Sequence, residues 1–357
     1  MRSRLGYYFF MAFSRPRTPA AKCLHLVRLG ELTSRSELIA ATGLSQPTIT
    51  RAVTALVQAG YVTERTDMAR SNGRGRPTVP LELAEPDTVH AGISVGTETT
   101  YIALYDLKGR TLHCTDLELP VATLYEDDFI QYLMAGLNRL TAGLGRRLAT
   151  VGVTTSGRVS ADGRVTAANL GWVDVDLGNQ LREQFSVPVQ VTSVSAAIVG
   201  SEMQSRPDLG MPSVLALFAD DSIACAVATA DGVEPVEVSR EDLTTSGLLD
   251  DIARPGVTTL AKAVAGGADT RPALDRRARD LGQLAGELCQ TYHPATVVVA
   301  GSAFIDDPHS PVPFAQAARE IAGEDVELRM LPTHQEMVRD IARAVALDPV
   351  LTDPLGL

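Results

Sequence analysis

The sequence predicts an α/β protein headed by a winged helix-turn-helix. Three observations carry that reading. Residues 1–80 hold 12 Lys and Arg against 4 Asp and Glu, while the rest holds 20 against 39, so a basic head precedes an acidic body. Residues 34–62 carry the start and stop signals of two short helices joined by a tight turn. From residue 89 onward, strand-like apolar runs alternate with amphipathic helical ones, the order of an α/β fold.

A chain of 357 residues has room for two or three domains. The boundaries expected are 1–83 for the head, 88–195 for a first α/β lobe and 196–333 for a second, with a closing helix over 334–347 packing on the first lobe. Hydrophobic residues make up 45% of the chain. No apolar run approaches the roughly 18 residues that span a bilayer. The expectation is a cytoplasmic protein with no membrane partner. Arg2 and Arg4 precede the short apolar run LGYYFFMAF, but no small-residue cleavage site follows, and Met11 is an alternative start. Cys23, Cys114, Cys225 and Cys289 form no C-x-x-C pair, so neither a zinc knuckle nor a disulfide framework is expected.

In the head, Ser34 and Glu37 are spaced as a capping box. Gly43 can take the left-handed conformation that ends a helix. Ser45 can cap a second helix that tolerates Pro47 in its first turn. Ile49, Val53, Leu56 and Val57 recur with helical period and mark its buried stripe. Gln46, Thr48, Thr50 and Arg51 then fall at its exposed start, the part of a recognition helix that meets base edges in the major groove. Arg35 opens the preceding helix and joins this set. Gln pairs bidentately with adenine, Arg with guanine, and Thr touches the thymine methyl group. Two strand-like runs follow, 61–65 and 78–83, around a loop bearing Arg70, Arg74 and Arg76. Arginines in such a wing favour phosphates or a narrow minor groove. The plainer alternative is a solvated hairpin on a helix pair that binds protein; the charge split favours double-stranded DNA as the partner.

Residues 82–88 read as a hinge. Beyond it, 89–110 and 212–233 share an outline of strand, turn, strand and Gly turn, with Gly109 and Gly232 in matching places. This weak repeat suggests two lobes built alike around a cleft. Amphipathic spacing marks helices at 129–144 and 274–292, and 295–304 reads as a buried strand entering a Gly turn. Residues 187–202 read as a short strand running into a small-residue helix.

These features together resemble the ROK family of repressors, open reading frames and sugar kinases, in the head-plus-lobes order of its regulators. The resemblance implies an actin/hexokinase-like, ribonuclease-H-like body. The family's phosphate loop, D-x-G-G-T-K, corresponds to SVGTET at 94–99, where Ser94 replaces the magnesium-binding Asp and Thr97 the second Gly. The second loop is TTSGRV, with Ser156 for a proline and Gly157 kept. In AANLGWVDVDL, Asn169 stands at a cleft asparagine and Trp172 at a position more suited to packing. The family stretch V-E-N-D-A-N-A-A corresponds to VTSVSAAI at 191–198, with Ser193 at the Asn and Val194 at the catalytic Asp. The zinc-bearing E-x-G-H segment and its Cys-rich loop have no counterpart between Cys225 and Cys289.

The function expected is therefore a DNA-binding transcriptional regulator with a catalytically inactive kinase-like body, no catalytic residue, no metal and no cofactor. Its small-molecule effector would be a sugar, a phosphosugar or another polar metabolite, held by Ser156, Gly157, Asn169, Ser193 and Ser195. Those serines serve equally well as helix caps and packing residues. A homodimer or dimer of dimers is expected. The alternatives are a regulator that retains sugar kinase activity, and a ligand-free interaction scaffold.

Overall fold

The computed structural model describes residues 12–30, 33–69, 78–207, 209 and 213–356. The head begins with α1 (Pro19–Leu29), where the Thr18 hydroxyl accepts from Ala21 N at 3.1 Å. α2 (Arg35–Thr42) opens on a capping box: Ser34 N donates to Glu37 Oε2 at 2.6 Å, and Glu37 N donates to Ser34 Oγ at 3.3 Å. Two otherwise orphaned helix-end donors are satisfied this way. Gly43 ends α2 at φ 67°, a left-handed conformation open to glycine, and turns the chain into α3 (Gln46–Gln58). Ile49, Val53 and Leu56 of α3 are fully buried with Leu24 and Val27 of α1 and Leu38 of α2.

The wing pairs β1 (Val62–Glu64) antiparallel with β2 (Leu81–Leu83), Val62 opposite Leu83. Both strands are shorter than the sequence suggested. Pro80 has no N–H to give to a ladder, and its carbonyl instead accepts from Arg65 N at 2.8 Å.

The body holds two five-stranded sheets of the same design. In the first, β3 (Thr88–Val95), β4 (Thr99–Tyr105) and β5 (Thr111–Glu118) form an antiparallel meander. After α4 (Glu126–Thr141), β6 (Arg147–Thr155) joins β3 in parallel. A small sheet of β7 (Arg158–Val159), β8 (Val165–Ala167) and β9 (Trp172–Val175) follows, then α5 (Leu177–Phe185) and β10 (Val189–Ser193). The strand order is β10-β6-β3-β4-β5.

α6 (Val194–Ser205) leads into the second sheet. Here β11 (Val214–Ala219), β12 (Ile223–Ala228) and β13 (Val233–Val236) repeat the meander. Three helices follow: α7 (Thr245–Ile252), α8 (Leu260–Ala265) and α9 (Arg271–Tyr292). β14 (Thr296–Ala300), α10 (Ser302–Ile305), α11 (Pro311–Ala322) and β15 (Glu327–Met330) complete the order β13-β12-β11-β14-β15. Each sheet thus has three sequential antiparallel strands flanked by two parallel ones. The weak sequence repeat reflects this duplication, with Gly109 (φ 86°) and Gly232 (φ 157°) each turning the chain after a second strand.

The closing helix α12 runs from His334 to Thr352, five residues beyond the expected end and through Pro349. Its last turn is held by burial: Leu347, Val350 and Leu351 enter the core of the head together with Leu107. The head is therefore welded to the body. The expected hinge at 82–88 is also tied down, by Ala84 N to Tyr61 O at 2.9 Å and by Arg110 Nη2 to Glu85 Oε1 at 2.7 Å. On the body side, α12 approaches the first sheet closely. A Cβ on Gly92 would lie 2.1 Å from Ala342 O, and one on Gly152 would lie 2.3 Å from Val345 O. α6 and α12 fill the space between the sheets, packing Ile198 and Val199 with Ile341 and Val345 against Ala216 and Val298 of the second sheet. Among the described residues, no helix is long and apolar enough to cross a membrane.

Candidate nucleic-acid interface and interlobe cleft

The start of α3 presents polar side chains on its exposed face. Gln46, Thr50 and Arg51 are exposed, while Ile49 between them is fully buried. Thr48 is half-buried, and its hydroxyl lies 2.9 Å from that of the capping Ser45. Arg51 makes no ion pair among the described residues, so its charge is available to an outside partner. Arg35 sits differently: its guanidinium pairs with Glu64 of β1, joining α2 to the wing. Arg70, Arg74 and Arg76 lie outside the described residues.

Behind the head, α1 is tethered to the end of α6. His25 Nε2 donates to Arg206 O at 2.7 Å, and Arg28 Nη2 donates to Gln204 O. Burial, and then the nearby charge of Arg343, pull the Arg28 pKa down to about 10. A buried guanidinium spent on a carbonyl fixes the head's orientation more than it adds stability.

The lobes enclose a cleft of about 590 Å³. One wall is the turn after β3. There Gly96 N donates to Thr99 O at 3.1 Å, and the carbonyls of Thr97 and Glu98 accept from Val121 N and Leu119 N, both at 2.9 Å. A Cβ on Gly96 would lie 2.7 Å from Thr99 O, so glycine serves this hairpin turn. The opposite wall is the turn after β11, carrying Asp220, Asp221 and Ser222. The two turns touch where the Thr97 hydroxyl donates to Asp221 Oδ2 at 3.4 Å.

The effector residues singled out from sequence divide into two groups. Ser156 and Asn169 both line the cleft, and Ser156 Oγ donates to Asn169 Oδ1 at 2.9 Å. Gly157 lies beside them at φ 79°, where a Cβ would meet Thr166 O at 2.3 Å; its part is to let the chain turn. Ser193 and Ser195 are buried at the start of α6. Ser193 Oγ accepts from Ala196 N at 3.3 Å as the N-cap, and the two hydroxyls lie 3.2 Å apart. Neither serine is among the residues lining the cleft. Trp172 packs inside the first lobe, 5.2 Å from Phe129 between ring centroids.

Sequence reasoning missed Asp220 and Asp221. A pair of carboxylates ending an apolar strand was their signal. Ser302 Oγ donates to Asp220 Oδ1 at 2.7 Å. Partial burial, and then the charge of Asp220, push the Asp221 carboxyl above the ordinary range. Behind the pair, Arg277 is buried with its guanidinium on the carbonyls of Leu243 at 2.7 Å and Asp220 at 3.3 Å.

Residues 90–218 match the sequence profile of the ROK family. Over that span the chain is similar to the ROK family. It is 29% identical to transcriptional regulators of Mycobacterium tuberculosis and Mycobacterium bovis, over 94% of this chain and 86% of theirs. Among solved structures it is similar to a ROK family transcriptional regulator described as a homologue of the E. coli MLC protein. That likeness has a TM-score of 0.73 at 16% identity and covers 94% of this chain and 97% of that one. A ROK hexokinase from Thermus thermophilus matches at a TM-score of 0.59 and 18% identity, over 73% of this chain and 97% of its own. The regulator shares the fold of a winged head on an actin-like, two-lobed body, while the likeness to the hexokinase extends over only 73% of this chain. Ser94, Thr97 and Val194, the three positions at which the sequence was expected to depart from the ROK pattern, all line the cleft.

Proposed function

We propose that this chain is a sequence-specific DNA-binding transcriptional regulator whose kinase-like body senses a small molecule and no longer transfers phosphate. The polar start of α3 carries the first half of the reading. Gln46, Thr50 and Arg51 are exposed on a helix whose other side is locked into a core shared with the body. The regulator names of its relatives point the same way. Base-edge contacts come from α3, and backbone contacts from the basic wing.

The cleft supports the second half. A general base typically contributes about 10²–10⁴ in rate, and Val194 supplies none at the position where the family resemblance puts it. The phosphate-side turn spends Gly96 N on its own hairpin, and two carboxylates face it from the other lobe. A polyphosphate there would meet like charge. The body would act instead as a dimerisation and effector module, spacing two heads over half-sites about 34 Å apart. An effector shifts such a dimer only through unequal affinity for its two arrangements.

Recovery of genomic fragments bound by the full-length protein tests the DNA half, and ATP turnover with a sugar panel tests the other. A protein that ignores duplex DNA at low ionic strength refutes the first. Robust sugar phosphorylation abolished by Ser94→Ala or Gly96→Val refutes the second and leaves a regulator that is also a kinase.

A further inference from the structure

The charge of the interlobe cleft says which ligands it can take. Glu98, Asp116, Asp220, Asp221 and Asp306 line it, against the guanidinium of Arg339 and the imidazole of His334. Asp220 Oδ1 is already used by Ser302 Oγ at 2.7 Å and Asp221 N at 3.0 Å. Its Oδ2 has no partner among the described residues and remains free to accept. Arg277 compensates the pair only from behind, since its N–H groups go to backbone carbonyls.

A second observation comes from the facing wall. Ser94 is 6% exposed and lines the cleft, yet its hydroxyl has no hydrogen-bond partner among the described residues. On the wall that carries the acidic pair, the Ser222 hydroxyl is buried with no partner among the described residues, and buried hydroxyls are normally paired, by protein or by what binds beside them. One wall therefore offers a hydroxyl waiting for a polar partner, and the other an acidic pair waiting for a cation.

We propose that the cleft binds a small polyhydroxylated molecule bearing an ammonium group, with the ammonium between Asp220 and Asp221 and a ligand hydroxyl on Ser94, and that it rejects phosphorylated ligands. An ammonium supplies three donors and one positive charge to a pair whose donors are otherwise hydroxyls and a backbone N–H. A phosphate ester would bring about two negative charges into the same space. This inference rests on the body being a sensor, as proposed above, and chooses among the ligand classes that reading leaves open.

Calorimetric titration of the full-length protein with glucosamine, glucose and glucose 6-phosphate tests it. Glucosamine is expected to bind about tenfold more tightly than glucose, the gain of one charge-assisted hydrogen bond. Glucose 6-phosphate is expected not to bind. Asp221→Asn and the double variant Asp220→Asn/Asp221→Asn should each erode the preference for the amine, and Ser94→Ala should weaken both sugars alike. The single variant keeps the test meaningful if the double variant fails to fold. Equal or tighter binding of glucose 6-phosphate overturns the proposal, and so does an absence of glucosamine binding at millimolar concentration. Duplex DNA binding measured on the same preparations separates the two readings. Operator binding without amine binding removes only this inference, and amine binding by a DNA-blind protein removes only the regulator.

Discussion

The backbone N–H of Phe13 donates to Asp348 Oδ2 across 2.8 Å, joining the segment ahead of the helix-turn-helix head to the last turns of α12. The Phe13 side chain is 2% exposed and fills space left open by Gly200, where a Cβ would lie 2.2 Å from the ring. Arg15 Nε donates to Thr229 O at 2.8 Å, extending the attachment to the second lobe. α1 is thus approached by the second lobe through this strap and by the first through α12. Relative motion of the lobes would reach the head by both routes.

Phe13→Ala should therefore loosen the head. Truncating a fully buried Phe costs about 3–5 kcal/mol in well-packed cores. Gly200→Val should displace the same ring by crowding. Denaturant unfolding checks the stability loss, and operator affinity measured well below the new midpoint checks the link to DNA binding. Unchanged stability in both variants would mean the strap is not held in solution.

Asp348 makes stability depend on pH. It is fully buried, and desolvation pushes its pKa from 3.8 up to about 6 against the opposing hydrogen bonds from Gln190 and Phe13. The folded state therefore holds a proton that the unfolded chain releases between pH 4 and 6. The sign follows: this group's contribution is most favourable below the unfolded pKa and becomes less so as pH rises through 6. A shift of two units is worth about 3 kcal/mol. The difference in unfolding free energy between the wild type and Asp348→Asn, followed from pH 4 to 7, should change by an amount of that order and then level off. A pH-independent difference counts against the assignment.

Variants of the recognition helix should differ from those of the wing. Gln46→Ala or Arg51→Ala should lose about 1–3 kcal/mol of operator affinity and relax preference at one base pair. Arg74→Ala or Arg76→Ala should weaken binding evenly across sequences and reduce the salt slope by about one phosphate contact. Fluorescence anisotropy on operator and scrambled duplexes, across a salt series, distinguishes the two patterns. Identical affinities for all four variants would remove the interface.

Arg35 is expected to behave as a structural residue because its guanidinium is engaged with Glu64. Partly exposed ion pairs contribute about 0.2–1 kcal/mol. Arg35→Ala and Glu64→Ala should each destabilise by no more than that and show coupling in a double-mutant cycle. A salt slope lowered by Arg35→Ala alone would return it to the phosphate-binding set.

Much of the head was legible because its signals are local. The Ser34–Glu37 box, the Gly43 turn and the Ser45 cap each depend on residues within a few positions. The duplicated sheets were dimly visible in the Gly109 and Gly232 turns. The cleft was less so. Ser193 could be read as ligand or cap, and the choice depends on whether its hydroxyl meets Ala196 N or open space. Asp220 and Asp221 gave no hint of facing Ser94, since strands so far apart in sequence meet only when the lobes close around α6 and α12.

The sequence by itself determined the helix ends and the polar face of α3, because each is a matter of residue identity or of spacing within a turn. The tertiary structure alone decided that Leu347, Val350 and Leu351 weld the head to the body, that Phe13 meets Asp348 across 335 positions, and that the cleft is acidic. Those contacts arise from burying the apolar faces of two sheets and two helices together, and no periodicity along the chain encodes which faces meet.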